Sequence, residues 1–154
     1  LDHSFELVKI AEERTRKAQA ASSLMTGDGL HLPFRDGALD VAISIAVIHH
    51  YSTIENRLAS IEEMKRVVSP NGGLILITAW AFEQEKKKYT EQDVMIPWRL
   101  LPKFSPTKEE VVYNRYYHLF VKGELDGLVQ QIDGLEIVTS QWDKDNWYLV
   151  AKRV

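Results

Sequence analysis

The chain is predicted to fold as an α/β protein. Its sheet is expected to be mostly parallel, closed by a C-terminal antiparallel hairpin, with helices on both faces. Three observations lead there. Residues 39–48 and 74–80 are near-continuous apolar runs, the character of strands buried on both sides. Segments of helical spacing alternate with them. Residues 135–142 and 146–152 then read as a hairpin around Asp143-Lys144-Asp145. A length of 154 residues suits a single domain, 1–154, with a sizeable core.

Leu7, Val8, Ile10, Ala11 and Ala18 recur at roughly helical spacing, which predicts a helix over residues 4–19 with Ser4 as N-cap. A short strand is expected over residues 22–26, from Ser22 to Thr26, ending in the loop signal Gly27-Asp28-Gly29. Residues 33–37 make a turn before the first apolar run. Ser52-x-x-Glu55 fits a capping box opening a helix that buries Ile54, Leu58, Ile61, Met64 and Val68. Ser69-Pro70-Asn71-Gly72-Gly73 breaks it. Beyond the second apolar run, residues 83–113 are charged and proline-punctuated, and are expected to form a long, partly mobile loop. Order returns at Arg115-Tyr116-Tyr117-His118, and a further helix is expected over residues 122–132.

Composition narrows the function classes. No apolar run approaches the about 18–20 residues that span a bilayer, so no membrane helix is expected. The absence of cysteine excludes disulfides and thiolate metal sites. A net charge of −3 argues against indiscriminate coating of nucleic acid, although a local basic face remains compatible with it.

In sheets of this kind ligands bind beyond the carboxyl ends of the strands. Asp2, Asp28, the pair His49–His50 and residues 80–83 each follow a predicted strand end, and are expected to gather along one rim. Two acids so placed suit a nucleoside. One carboxylate can accept both ribose hydroxyls, and a second can accept a hydrogen bond from an adenine amino group. Each acid alone equally fits a helix or turn cap. Either histidine alone also fits a satisfied structural residue. No third ligand lies at zinc spacing, so no metal site is expected. Neither Ser44 nor Ser52 sits in a nucleophile-elbow pattern.

Asp2-x-Ser4, the stretch GDGLHLPF at 27–34 and the stretch DVAISIAVIHH at 40–50 follow an order that resembles the S-adenosylmethionine-dependent class I methyltransferases. SIAVIHH (44–50), AWAFEQE (79–85), NRYYHLFVKGEL (114–125) and DNWYLVAK (145–152) narrow the resemblance. Together they look like the tRNA wobble-uridine carboxyl methyltransferases, either the stand-alone eukaryotic enzyme or the domain fused to an AlkB-type oxygenase in animals.

That resemblance implies a Rossmann-like fold and methyl transfer from S-adenosylmethionine to 5-carboxymethyluridine at the tRNA wobble position, in the cytoplasm or nucleus. It implies Asp2 as the ribose-binding acid, Asp28 with Gly29 and Leu30 at the adenine, and Ile45, Ala46 and Val47 against the methionine portion. His49, Trp80, Glu83, Arg115, Tyr116 and His118 are implied at the uridine pocket, with His50 as structural support. A carboxylate acceptor is already ionised at neutral pH, so orientation matters more than a general base. Arg115 can grip such an anion in a bidentate manner. The family's glycine-rich loop is not in residues 1–154 and is expected to precede Leu1 in a missing N-terminal part. Calorimetry on this piece is accordingly expected to show weak S-adenosylmethionine binding. A small zinc-binding activator subunit is implied as a heterodimer partner, adding a strand at residues 22–26. Lys86, Lys87, Lys88, Arg99, Lys103 and Lys108 are candidate contacts to the tRNA anticodon region, and equally fit a solvated loop. Two other readings accommodate the cofactor motifs: methylation of a small or carrier-bound carboxylic acid, and a catalytically silent scaffold.

Overall fold

The computed structural model describes residues 1–100, 102 and 108–154. In chain order the elements are helix α1 (Phe5–Lys17), strand β1 (Val41–Ile45), a 3₁₀ turn (Ile48–His50), helix α2 (Ile54–Val67) and strand β2 (Leu74–Trp80). Strands β3 (Asp93–Leu100) and β4 (Val111–His118), helix α3 (Glu124–Gln130) and strands β5 (Leu135–Asp143) and β6 (Asn146–Arg153) follow. One mixed sheet has the order β1-β2-β6-β5. Its first pair is parallel and the other two pairs are antiparallel. The helical crossover through α2 is what a parallel β1–β2 pair requires.

Alternation along the strands decides what reaches the core. Ala42, Ile75, Ile77, Ala79, Leu149 and Ala151 are buried in one cluster with Ile61, Met64 and Val67 of α2 and Leu125, Leu128 and Val129 of α3. Each fully buried aliphatic side chain contributes about 1.5–3 kcal/mol. The guanidinium of Arg153 caps the end of α2, with Nη1 donating to the carbonyls of Lys65, Arg66 and Val68 at 2.9, 3.2 and 2.8 Å. On the opposite side Val41, Ile43 and Ile45 are exposed, and α1 buries no side chain. The expected α/β sheet is therefore present, but it is mixed rather than mostly parallel, since only the β1–β2 pair runs parallel, and among the described residues the helical cover of the core lies on one face.

Several local expectations change. Residues 22–26 do not form a strand: only Thr26 pairs, in a parallel bridge with Asp2. The preceding Ala20-Ala21-Ser22-Ser23 offers little apolar surface to hold a strand in place. The run 39–48 leaves the sheet at Ile45 because Ala46 adopts φ 57°, a left-handed conformation that turns the chain into the 3₁₀ segment. The cap of α2 is Thr53 rather than Ser52, its hydroxyl accepting from Asn56 N–H at 3.3 Å. Ile54 is exposed, whereas Arg57 and Ser60 are buried.

The largest change concerns residues 83–113. Much of that span is an antiparallel ribbon, β3 with β4, in register from Asp93–His118 to Leu100–Val111. Proline and charge suggested a loop, yet Val94, Ile96 and Trp98 alternate with polar or exposed residues at the strand period. Lys103 and Pro106 lie outside the described residues.

Arg57 joins this ribbon to the core. Its Nε donates to the Tyr51 carbonyl at 3.0 Å and its Nη2 to the Tyr116 hydroxyl at 3.2 Å. Its Cζ lies 5.8 Å from the centroid of the Phe120 ring. Arg57→Met keeps the stem and removes the donors, stranding the Tyr51 carbonyl. We expect a loss of about 1–3 kcal/mol, read from the denaturant midpoint; an unchanged midpoint would show that the bonds add nothing net.

Candidate active site

A cavity of about 750 Å³ runs along β1 and past its carboxyl end. Asp2, Asp28, Gly29, Ile45, Ala46 and Val47 all line it, together with His50 and Tyr51. Leu30 is not part of its lining, although its N–H closes the turn by donating to Asp28 Oδ1 at 2.9 Å. Asp2 Oδ1 similarly accepts from Ser4 N–H at 2.8 Å. Both acids thus act as backbone caps and also line the cavity. Gly29 has a steric reason: a Cβ there would sit 2.5 Å from the Tyr51 hydroxyl. Burial, followed by the charge of Asp28, raises the pKa of that phenol.

The loop carrying Asp28 is tied to α2 by charge. Glu63 Oε2 accepts from Leu32 N–H at 2.7 Å, and Arg66 donates to the carbonyls of Phe34 and Leu32 and to Asp36 Oδ1. The hydrogen bond from Arg66 holds the Glu63 carboxyl below the usual range, against the opposing effect of burial.

The histidine pair divides its work in the reverse of the expected way. His49 is buried and does not face the cavity. Its Nδ1 accepts from the Trp80 backbone N–H at 3.1 Å, and its ring stacks on Tyr117 at 5.0 Å. Burial, then neighbouring His50, pushes its pKa down to about 3, so the ring is neutral. An imidazole held in this way bolts the 3₁₀ turn to the end of β2. His50 is the exposed partner and lines the cavity. Its Nδ1 lies 3.0 Å from the Tyr116 carbonyl, which can only accept, so Nδ1 carries the proton and Nε2 is the ring's remaining polar atom.

The other acceptor-side candidates gather around the ribbon rather than in the cavity. Tyr116 donates to Asp93, and Asp93 Oδ1 lies 2.7 Å from Nδ1 of His118. Nε2 of His118 lies 2.5 Å from Glu124 Oε1. With a carboxylate at each nitrogen, both ring nitrogens donate and the ring is an imidazolium. Burial works against that charge, but the bonds to Glu124 and Asp93 outweigh it and hold the pKa above its ordinary value. Tyr116 and His118 are therefore anchors of the ribbon. Arg115 is exposed on β4, its Cζ 4.2 Å above the Trp98 ring.

Trp80 packs on Tyr117 at 4.7 Å and borders a separate cavity of about 280 Å³ with Lys87, Tyr89 and Asp145. Glu83 joins neighbouring segments: its carboxylate accepts from Lys122 N–H at 3.0 Å and Trp147 Nε1 at 3.1 Å, and its carbonyl accepts from Trp142 Nε1 at 2.9 Å. The predicted rim is thus real for Asp2, Asp28 and His50, with Trp80 one ring behind it and Glu83 farther along. Sequence reasoning missed Tyr51, Arg57, Asp93 and Glu124. A buried arginine in a helix has no local signature, while Asp93 was hidden inside the supposed loop.

The chain is similar to known proteins in sequence and in fold. Residues 1–76 match a family model described as a methyltransferase domain. The chain is 37% identical to the tRNA (carboxymethyluridine(34)-5-O)-methyltransferase of Schizosaccharomyces pombe, covering 99% of this chain and 70% of the relative. It is 31% identical to the tRNA (carboxymethyluridine(34)-5-O)-methyltransferase alkbh8 of Xenopus tropicalis, over 99% of this chain and 31% of that protein. The crystal structure of the PH0226 protein from Pyrococcus horikoshii shares the fold with a TM-score of 0.72 at 17% identity, over 99% of this chain and 69% of that one.

The two buried histidines predict opposite pH dependences. The folded pKa of His118 is raised, so its stabilisation is complete below the unfolded value of about 6.5 and is lost as pH rises through the folded value. That of His49 is lowered, so its stabilisation is present above about 6.5 and is lost as pH falls toward 3. Thermal melts from acid to alkaline pH should therefore peak near pH 6.5. His118→Gln should flatten the alkaline limb and His49→Asn the acid limb, each by at most about 1.4 kcal/mol per pH unit. Wild-type limbs retained in both variants would assign the dependence to other groups.

Proposed function

The chain belongs to the tRNA (carboxymethyluridine(34)-5-O)-methyltransferase family, and from that membership we propose that it esterifies the carboxylate of 5-carboxymethyluridine in tRNA with a methyl group from S-adenosylmethionine. The supporting observation is the cavity that runs along β1 and past its carboxyl end, which brings Asp2, Asp28, Gly29 and residues 45–47 into one lining. Its donor and acceptor set fits a nucleoside joined to an amino acid. Asp2 and Asp28 each commit one oxygen to the backbone and can offer the other to a hydroxyl or an amino group. Ile43, Ile45 and Val47 provide an apolar wall. When bound, S-adenosylmethionine supplies an electrophilic methyl group.

The chain's own contribution on the acceptor side is positioning. A carboxylate acceptor is ionised at pH 7, so no residue need remove a proton. His50 lies at the junction of cavity and ribbon, where its Nε2, the ring's free acceptor, can take a hydrogen bond from a hydroxyl or N–H of the bound nucleoside and so help orient it without covalent chemistry. We assign this role to His50 in place of His49. The wobble position as target and a cytoplasmic place of action form part of the same proposal. So does a heterodimer with a small zinc-binding activator. Residues 22–25, exposed or half-exposed and outside any sheet, are open to strand addition, and co-expression with such a partner should raise the soluble yield.

Methyl incorporation from labelled S-adenosylmethionine tests the reading, comparing tRNA that carries 5-carboxymethyluridine with small carboxylic acids. We expect transfer to the tRNA. Asp28→Asn should weaken cofactor binding about tenfold, the scale of one charged hydrogen bond. His50→Ala should lower kcat while leaving cofactor affinity unchanged. Transfer only to small acids would favour the alternative substrate class, and no transfer at all would favour a silent scaffold.

A further inference from the structure

One face of the ribbon carries two exposed rings that the site does not use. The register sets Trp98 opposite Tyr113 and Ile96 opposite Arg115, with Tyr117 at the base of the same face. Trp98 and Tyr113 are 40% and 50% exposed, too much for core packing to explain them. Their ring centroids are 5.9 Å apart, and the Arg115 guanidinium lies 4.2 Å above Trp98. No carboxylate of β3 or β4 shares this face: Asp93 lies on the other one, with His118. The face is also continuous with the cavity. Tyr117 contacts His50 with ring centroids 4.4 Å apart, and His50 lines the cavity.

We propose that Trp98, Tyr113 and Arg115 form a stacking platform for unpaired RNA bases next to the nucleoside presented at His50. The inference rests on the tRNA reading above and adds to it where the flanking bases are held. Exposed aromatic rings beside a guanidinium plane match the two surfaces on which splayed RNA bases stack. A protein partner would be served by a broader apolar surface with carboxylate partners for Arg115. The ribbon instead offers rings spaced along one line that leads to the cavity mouth. Stacking there orders single-stranded bases without reading their identity, so the platform supplies affinity and register rather than sequence choice.

The test is equilibrium binding of a labelled, unmodified anticodon stem-loop RNA, measured by anisotropy. Trp98→Ala and Tyr113→Ala should each raise Kd roughly tenfold. Trp98→Phe, which keeps a stacking ring, should stay near wild type, and so should Met95→Ala on the opposite face. Thermal melts confirm that each variant is folded. Unchanged Kd in both alanine variants, or no RNA binding by the wild type, overturns the proposal. Unchanged RNA affinity with loss of a protein contact in those variants overturns it in favour of a protein-docking face. Methyl transfer is read separately. RNA binding that depends on Trp98 without transfer leaves the platform standing and removes the reaction, whereas transfer to free 5-carboxymethyluridine without RNA binding does the reverse.

Discussion

His118 carries its charge where burial opposes it, and the placement of the ribbon depends on what offsets that cost. Its two ring nitrogens bridge Glu124, at the start of α3, and Asp93, at the start of β3. The limbs differ in strength. Glu124 is three-quarters buried, so that bond is worth about 1.5–3 kcal/mol. Asp93 is 64% exposed, so solvent screens its limb to about 1 kcal/mol or less. The Asp93 limb matters more for direction: through Tyr116 it continues to Arg57 in α2. The chain from α3 through the ribbon to α2 leaves β4 one allowed seat, with Tyr117 against His49 and Trp80.

That seat determines what the cavity presents. With Tyr117 in place, the Tyr116 carbonyl meets Nδ1 of His50 and settles its tautomer, while His49 is enclosed and kept neutral. Two identical side chains, adjacent in sequence, thus acquire different chemistry from their surroundings. The left-handed Ala46 makes the division possible, because it ends β1 at Ile45 and rotates the following turn over the end of β2. Its N–H remains satisfied by Thr78, through the carbonyl at 3.2 Å and the side-chain hydroxyl at 3.1 Å. The strain of a non-glycine residue in that region, of order 1–3 kcal/mol, sits at the cavity wall, where such backbone is commonly found.

Legibility followed the range of the forces involved. Strand β2 was readable to its ends because an apolar run bounded by Gly73 and the Trp80 segment carries its own periodicity. Helix α1 and its Ser4 cap were readable because capping is a contact over three residues. Most of the cavity lining was also legible, Leu30 excepted, since residues just past strand ends must lie along one edge of a sheet. The ribbon was not. Its alternation was masked by proline and charge, and its pairing joins residues up to 25 apart, as Asp93 and His118 are. Nor could local pattern separate Thr53 from Ser52 as the cap of α2, since both are hydroxyl residues one position apart.

The sequence by itself determined the class of fold, the order of its main strands and helices, and which acids and loop residues meet at the carboxyl edge. Those properties follow from hydrophobic period and local hydrogen bonding, which neighbouring residues settle among themselves. Tertiary structure alone decided that His50 rather than His49 faces the cavity, that Tyr116 and His118 anchor a ribbon, and that Arg115 lies on Trp98. Each of these depends on burial and charge supplied by segments distant in sequence, and a side chain's protonation and direction are set by whatever the fold brings against it.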